Sequence, residues 1–481
     1  MMNFTGYMTE EHKHIAADDS IHPMEKALEL LKGQVRSALR SQWEGEGGLQ
    51  GLLTFRVPVA TPEALGWLSR QKLFPRLYWM NREKSEWVAG IGEADRIELT
   101  GSGPNDRSFN LLEQAMQGKD PHARYVGGFR FNNIQQQNEL WEGFSPTLFI
   151  LPQITLEGSR TAAMLTCSLW IGPDTDRDEA VRRLLDALDS VDCSCVPADG
   201  AQLPELLGTT YSPDREEWIG CCRKVLDTIQ SGEMEKVILA RQTGLDFAGP
   251  VPAIRFLMDY PFPESSTYRF YFEPFEGHAF VSLTPERLYR RDGERLLTEA
   301  LAGTVTKEAL KADDHTASEL LLNSEKDVRE HRFVKDTIHR ELQPVCSVID
   351  MEETVQVLQL SQLAHLYTRC KALLKPGSGN DSTVLRQLHP TPAVGGVPRE
   401  ASMQLIASLE PFCRGWYAGP VGWMSRDAAE FAVGIRSALV NGERVFLYSG
   451  AGLVRGSDPD SEWEEVDQKI GELLAVTKQA T

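Results

Sequence analysis

Carboxylates at helical spacing are the first sign of chemistry in this chain. Glu462, Glu465 and Lys469 recur at three- and four-residue steps, so a helix puts them on one side. Asp327 and Glu330 stand one helical turn apart in the run Lys326-Asp327-Val328-Arg329-Glu330-His331. Val334 and Ile338 continue that face and are apolar, so the face should point inward. A carboxylate turned toward an interior is costly unless it is paired or bound to a metal. Taken alone, either set could be the solvated rim of a surface helix. Taken together, carboxylates from two helices with few other strong oxygen donors suit Mg²⁺, which keeps several waters and takes few protein oxygens.

Other side chains suggest what such a metal would work on. In the run Glu430 to Leu439, strand alternation puts Phe431, Val433, Ile435 and Leu439 on one face. Ala432, Gly434, Arg436 and Ala438 take the other face, where the small residues leave room for Arg436. Arginine forks onto a carboxylate; a structural ion pair is the competing reading. Lys236 opens an apolar strand and could serve as a base, or be an ordinary strand-end lysine. Glu286 could donate a proton or pair near Arg287. Gly450-Ala451-Gly452 and Ala302-Gly303-Thr304 each follow a strand and read as glycine turns that let N–H groups approach a ligand. Residue chemistry alone leads to Mg²⁺-dependent acid/base work on a small carboxylate.

The elements that must position these groups can be read from periodicity and caps. Helices are predicted over 23–42, 177–191, 213–231, 317–343 and 459–478. Gly232 is a C-cap, and Asp458-Pro459 is a cap followed by proline at the first helical position. Strand-like runs include Leu52 to Val59, Trp87 to Ile91, Leu148 to Leu151, Ala162 to Ile171, Lys236 to Arg241 and Val445 to Tyr448. Strands and helices do not alternate strictly, which predicts an α+β fold with large, mostly antiparallel sheets and helices outside or between them. The first twenty or so residues read as a frayed end. The Cys-, Pro-, Gly- and Ser-rich stretch 192–214 is the candidate seam, dividing an N-terminal α/β half, 1–205, from a catalytic core, 206–481.

Composition excludes several classes. The chain has 481 residues and a net charge of −19, which does not suit a general nucleic-acid binder. If the ligand is an anion, its site must be a local positive exception. No run of about 18 apolar residues is present, so no membrane span is expected. The start shows no basic region followed by an apolar one, so no secretory signal is expected. The eight cysteines lack C-x-x-C spacing and read as reduced thiols of a cytoplasmic protein.

The motifs taken together resemble the chorismate-utilising enzymes, and within them the isochorismate synthases of the menaquinone-pathway type. The matching segments are Glu235 to Arg241, Thr284 to Leu288, Thr298 to Thr304, Ser324 to His331, Leu388 to Gly396, Gly415 to Trp423 and Phe431 to Ala438. They run in family order across about 220–475, and Gly127-Gly128-Phe129 and Trp141 to Phe144 resemble the same branch less tightly. The resemblance implies an anthranilate synthase component I-like fold. It implies that Lys236 is the general base that activates water and Glu286 the general acid that protonates the departing hydroxyl. By the same resemblance Glu330 and Glu465 bind Mg²⁺ directly, and Asp327 and Glu462 act through water. Gly303, Thr304, Tyr417, Arg436, Gly450 and Lys469 would touch substrate, with His365 near the ring.

The implied reaction is chorismate to isochorismate: water adds at C2, the C4 hydroxyl leaves and the ring double bonds shift. Relatives do other things. Aminodeoxychorismate synthases have a lysine where this chain has Ala302, and pyruvate-eliminating branches tend to carry threonine where it has Ala393. Salicylate synthase and a siderophore-pathway isochorismate synthase are the alternatives. Chorismate is the expected partner; no glutaminase subunit, nucleic acid or membrane is.

Overall fold

The computed structural model describes residues 20–41, 51–100, 106–117, 119, 123–135, 138–172, 174–197, 203–261, 266–306, 314–360, 363–377 and 380–478. The expectation for the first residues lies outside these. Among the described residues the chain builds one sheet of twelve strands and one of ten. Every ladder between named strands is antiparallel.

The first sheet runs Gly51–Val59, Ala163–Ile171, Ile154–Gly158, Trp87–Ile91, Arg76–Met80, Tyr268–Phe275, His278–Thr284, Ser437–Asn441, Arg444–Leu453, Lys236–Phe247, Gly396–Val397. Leu206–Ser212 also pairs with Lys236–Phe247. The second sheet runs Cys346–Met351, Leu363–Leu374, Arg295–Thr306, Arg287–Asp292, Ala428–Val433, Pro420–Met424, Tyr125–Phe129, Thr147–Leu151, Asp95–Leu99. Gln356–Gln359 adds to Leu363–Leu374. Strands from before and after residue 205 stand in both sheets.

Period-two geometry sends alternate side chains of the first sheet to different cores. Leu77, Trp79, Phe446 and Tyr448 join Val126, Phe149 and Phe431 of the second sheet in one core. Trp79 meets Trp423 edge-on, with ring centroids 6.2 Å apart. Tyr78, Met80, Val445 and Leu447 face the other way. There they meet Leu28 and Leu31 of helix Met24–Ser41, Leu184 and Leu188 of helix Arg177–Asp189, and Ile470 and Leu473 of helix Pro459–Lys478. Burying both faces explains why these strands read as nearly continuous apolar runs. Val334 and Ile338 do point inward, in the core shared with Ala300 and Ala302 of the second sheet.

Helix starts follow their caps. Asp214 and Glu217 form a reciprocal capping box at Arg215–Gln230. Asp458 Oδ2 accepts from Ser461 N at 2.9 Å. Three expectations need correction. The helix expected over 317–343 is two, Asp314–Asn323 and Glu325–Leu342, because Ser324 between them caps the second by accepting from Asp327 N at 3.2 Å. The strand expected through Glu430 to Leu439 divides. Arg436 takes a left-handed φ of 47°, and the chain crosses there from Ala428–Val433 in the second sheet to Ser437–Asn441 in the first. The glycine turns are not turns: Gly450 and Gly452 lie inside strand Arg444–Leu453. Gly303 lies inside Arg295–Thr306, where a register shift between Ala302 and Thr304 marks a bulge.

Gly415 shows how tightly the early and late parts of the chain pack. It has φ 54°, and a Cβ there would sit 2.0 Å from the Trp141 ring. Trp141 is itself fixed by donating from Nε1 to Cys413 O at 3.0 Å. Gly415→Ala is therefore expected to destabilise by about 1–3 kcal/mol through overpacking. Gly220→Ala, in a helix with nothing within 4 Å of the new methyl, should be neutral or stabilise by up to ~1 kcal/mol. Urea unfolding midpoints check both; equal midpoints for the two variants would contradict this packing.

Candidate active site

One cleft collects Lys236, Glu286, Gly303, Asp327, Glu330, His365, Ala393, Tyr417, Arg436, Gly450, Glu465 and Lys469. Of the predicted residues whose side chains are described, Glu462 does not line it. Glu462 is buried one helical turn before Glu465. Thr304 is placed by its backbone pairing with His365.

Lys236 enters from the first sheet, at the head of strand Lys236–Phe247. Its neighbour across the sheet leaves space for it: a Cβ on Gly452 would stand 3.1 Å from Lys236 Cε. Lys236 is 3% exposed, and its Nζ lies 2.6 Å from Glu330 Oε1. Burial opposes ionisation of Glu330, but the Lys236 ammonium outweighs it and holds the carboxyl below its usual range. Lys469 repeats the arrangement from helix Pro459–Lys478, 2.7 Å from Glu465 and donating to Gly450 O at 3.0 Å. Among the described residues no three His, Cys, Asp or Glu side chains are drawn together at metal-binding distance. Of the four carboxylates lining the cleft, Glu330 and Glu465 are each held by a lysine.

Glu462 differs from these. Its Oε2 is buried without a hydrogen-bond partner. Burial first, then repulsion from Glu465, raises its pKa. Opposite, the Gly303 bulge at φ 72° brings the backbone against Asp327: a Cβ there would lie 3.0 Å from Asp327 Cβ. Gly303 O is 3.0 Å from His365 Nδ1. A carbonyl only accepts, so Nδ1 carries the proton and Nε2 is left as acceptor. Arg436 Nη2 donates to it at 3.0 Å. Arg436 Nη1 is buried, makes no hydrogen bond and has Glu472 only at 3.8 Å.

Glu286 sits on the loop after strand His278–Thr284. It is 7% exposed, and burial pushes its pKa up to about 7. Thr391 Oγ1 donates to its Oε1 at 3.2 Å. Ala393 comes two residues later, on the same turn, where Val394 N bonds Thr391 O at 3.1 Å. Sequence reasoning missed Thr391, and it missed Lys326 and Ser449, which also line the cleft. Thr391 and Lys326 were inside segments already singled out; nothing local marked Ser449. It missed Arg414 as well. That guanidinium donates to Ile238 O and Val394 O, each at 2.9 Å, and pairs with Glu410 at 2.5 Å. It thereby ties the Ala393 turn to the Lys236 strand.

These contacts fix the protonation of His365. Burial, then the Arg436 charge, lowers its pKa to about 3. The ring is expected to stay neutral from roughly pH 8 down to pH 4, where an ordinary histidine charges. Histidine NMR, assigned with His365→Gln, checks this. Titration of the His365 signal near 6.5 would contradict the Gly303–His365–Arg436 arrangement.

Comparison with known proteins agrees with this geometry. The chorismate binding enzyme family matches residues 39–478. Isochorismate synthase MenF of Escherichia coli (strain K12) is 34% identical, over 85% of this chain and 90% of that protein. Isochorismate synthase MenF of Bacillus subtilis (strain 168) is 30% identical, over 83% of this chain and 87% of that protein. The solved structure of MenF, the menaquinone-specific isochorismate synthase from Escherichia coli, superposes with a TM-score of 0.80 at 30% identity, covering 95% of this chain and 100% of that one. The chain belongs to the chorismate-binding enzyme family.

Proposed function

We propose that this protein is an isochorismate synthase that isomerises chorismate with bound Mg²⁺ and supplies menaquinone biosynthesis in the cytoplasm. The observation that carries the reading is Glu286, a buried carboxyl with a pKa of about 7 in the same cleft as Lys236. A carboxyl so tuned is part-protonated at neutral pH and can pass its proton to the departing C4 hydroxyl. Lys236 works as a base only as the neutral amine, so its ammonium must first give up a proton; Nζ then takes the proton of the water that adds at C2. Arg436, with Nη1 making no hydrogen bond, and Lys469 supply cations for the enolpyruvyl carboxylate.

Asp327, Glu330, Glu462 and Glu465 are a hard-oxygen set that fits a small divalent ion, and the partnerless Glu462 oxygen favours that use. Bound there, Mg²⁺ would supply the positive charge that the ring carboxylate needs. Similarity to MenF enzymes supports both product and pathway. Ala393 in place of threonine supports stopping at isochorismate, and Ala302 in place of lysine disfavours amination. No glutaminase subunit is expected. Among the described residues, no helix is long and apolar enough to cross a membrane.

Lys236→Ala and Glu286→Gln are each expected to lower turnover by about 10²–10⁴-fold in protein that circular dichroism shows is still folded, Lys236→Ala with a lowered melting temperature because Glu330 loses its partner. Near-normal turnover in either variant removes that residue from the reaction. Since Glu286 must carry its proton, turnover should fall as pH rises through about 7. Chelation with EDTA should stop the reaction and added Mg²⁺ restore it; full turnover in EDTA would exclude the metal.

A further inference from the structure

We propose that Arg82, on the turn between strands Arg76–Met80 and Trp87–Ile91, is a positioning residue for Glu286, reaching it from the first half of the chain. Arg82 is 7% exposed. Its Nη1 donates to Pro285 O at 2.8 Å and to Glu299 Oε1 at 2.6 Å, and its Nη2 donates to Glu299 Oε2 at 2.8 Å. Glu299 Oε1 also accepts from Arg287 N at 3.1 Å. The residues on either side of Glu286 are therefore both held, one by Arg82 and the other by the carboxylate that Arg82 grips in a two-pronged pair. Pro285 has no N–H of its own, so its carbonyl is the only backbone polar group by which it can be fixed. Glu83, on the same turn, reinforces the contact by accepting from Arg287 Nη2 at 2.8 Å.

The pair also sets the field at Glu286. The charged groups acting on that carboxyl are Glu299 from strand Arg295–Thr306, Lys236 from strand Lys236–Phe247 and Lys469 from helix Pro459–Lys478. Glu299 raises the Glu286 pKa and the two lysines lower it. The Glu299 side chain is 0% exposed, so only its cationic partners offset it. Without Arg82, the Glu299 charge would act on Glu286 with less compensation, and Glu286 would hold its proton more tightly.

The inference rests on Glu286 being the proton donor, so its test reads the carboxyl as well as the rate. Arg82→Gln, Arg82→Lys, Glu299→Gln and the double variant Arg82→Gln/Glu299→Gln are compared in the full chain. Each is measured for kcat and KM against pH. The Glu286 carboxyl stretch is followed by infrared titration, with Glu286→Gln as the assignment. Arg82→Gln is expected to lower kcat by about 10- to 10²-fold, with KM moved far less, because Glu286 is misplaced. Its alkaline limb and carboxyl titration should both move up, by about one pH unit. Arg82→Lys should recover part of the shift, since it restores charge but not the fork. The double variant should return the limb toward its original pH while kcat stays low, because the hold on Pro285 is gone. If Arg82→Gln does not fold, the double variant and Glu299→Gln carry the same comparison. A folded Arg82→Gln with unchanged kcat and limb overturns the inference. So does a variant whose melting temperature falls while the limb and carboxyl titration stay in place. If the carboxyl titration moves but the rate limb does not, the donor reading fails and the hold of Arg82 on Glu286 stands.

Discussion

A lysine buried to 3% exposure is the constraint around which the cleft is built. Taking an ammonium out of water costs several kcal/mol unless an anion meets it in good geometry. Glu330 meets Lys236 at 2.6 Å, and it comes from a helix packed on the other sheet. The pair is therefore also a tie between layers: the first sheet cannot slide against the helix without stranding both charges. Lys469 and Glu465 add a second such pair, with Gly450 O as a further acceptor. In a chain of net charge −19 the cleft still gathers Lys236, Lys326, Lys469 and Arg436. Glu286, Asp327, Glu330 and Glu465 line it too, so the four cations bring the cleft close to charge balance within a strongly acidic protein.

Both sheets draw strands from before and after residue 205, and this gives the first half a part in the site. Arg76–Met80 pairs directly with Tyr268–Phe275. The turn that follows Arg76–Met80 delivers Arg82 to Pro285 and Glu299. Tyr125–Phe129 pairs with Pro420–Met424, and Trp141 closes over Gly415. The loop bearing Glu286 and the turn bearing Tyr417 thus rest on strands laid down much earlier in the chain.

Much of this was legible in the sequence, and the failures have physical causes. Helix ends were readable at Gly232, which takes a left-handed φ of 85°, and at Asp458, which accepts from Ser461 N, because each acts within a few residues. The inward face of Asp327, Glu330, Val334 and Ile338 was readable from spacing alone. Ser324 as a break was not, because Leu321, Leu322, Val328 and Val334 sustain the apolar pattern across it. Gly303, Gly450 and Gly452 looked like strand ends. In the fold they are gaps inside strands, made for the Asp327, Tyr417 and Lys236 side chains. Arg436 was placed on a continuous strand because alternation carries no sign that the chain changes sheets there. Arg82 had no local signal at all, since its partner Glu299 is 217 residues away. Most of the site came from the family resemblance, whose motif segments the fold then brings to one cleft.

A buried base and a buried acid share one cleft, an arrangement suited to adding water at C2 of chorismate as its C4 hydroxyl leaves. Product analysis tests it most directly. Purified protein is incubated with chorismate and Mg²⁺ at neutral pH, and the mixture is resolved by chromatography with a parallel assay for pyruvate. Isochorismate is expected as the product, with little pyruvate, and chorismate should be regenerated when isochorismate is supplied instead. Pyruvate released in step with chorismate consumption, or no reverse flux from isochorismate, would contradict it.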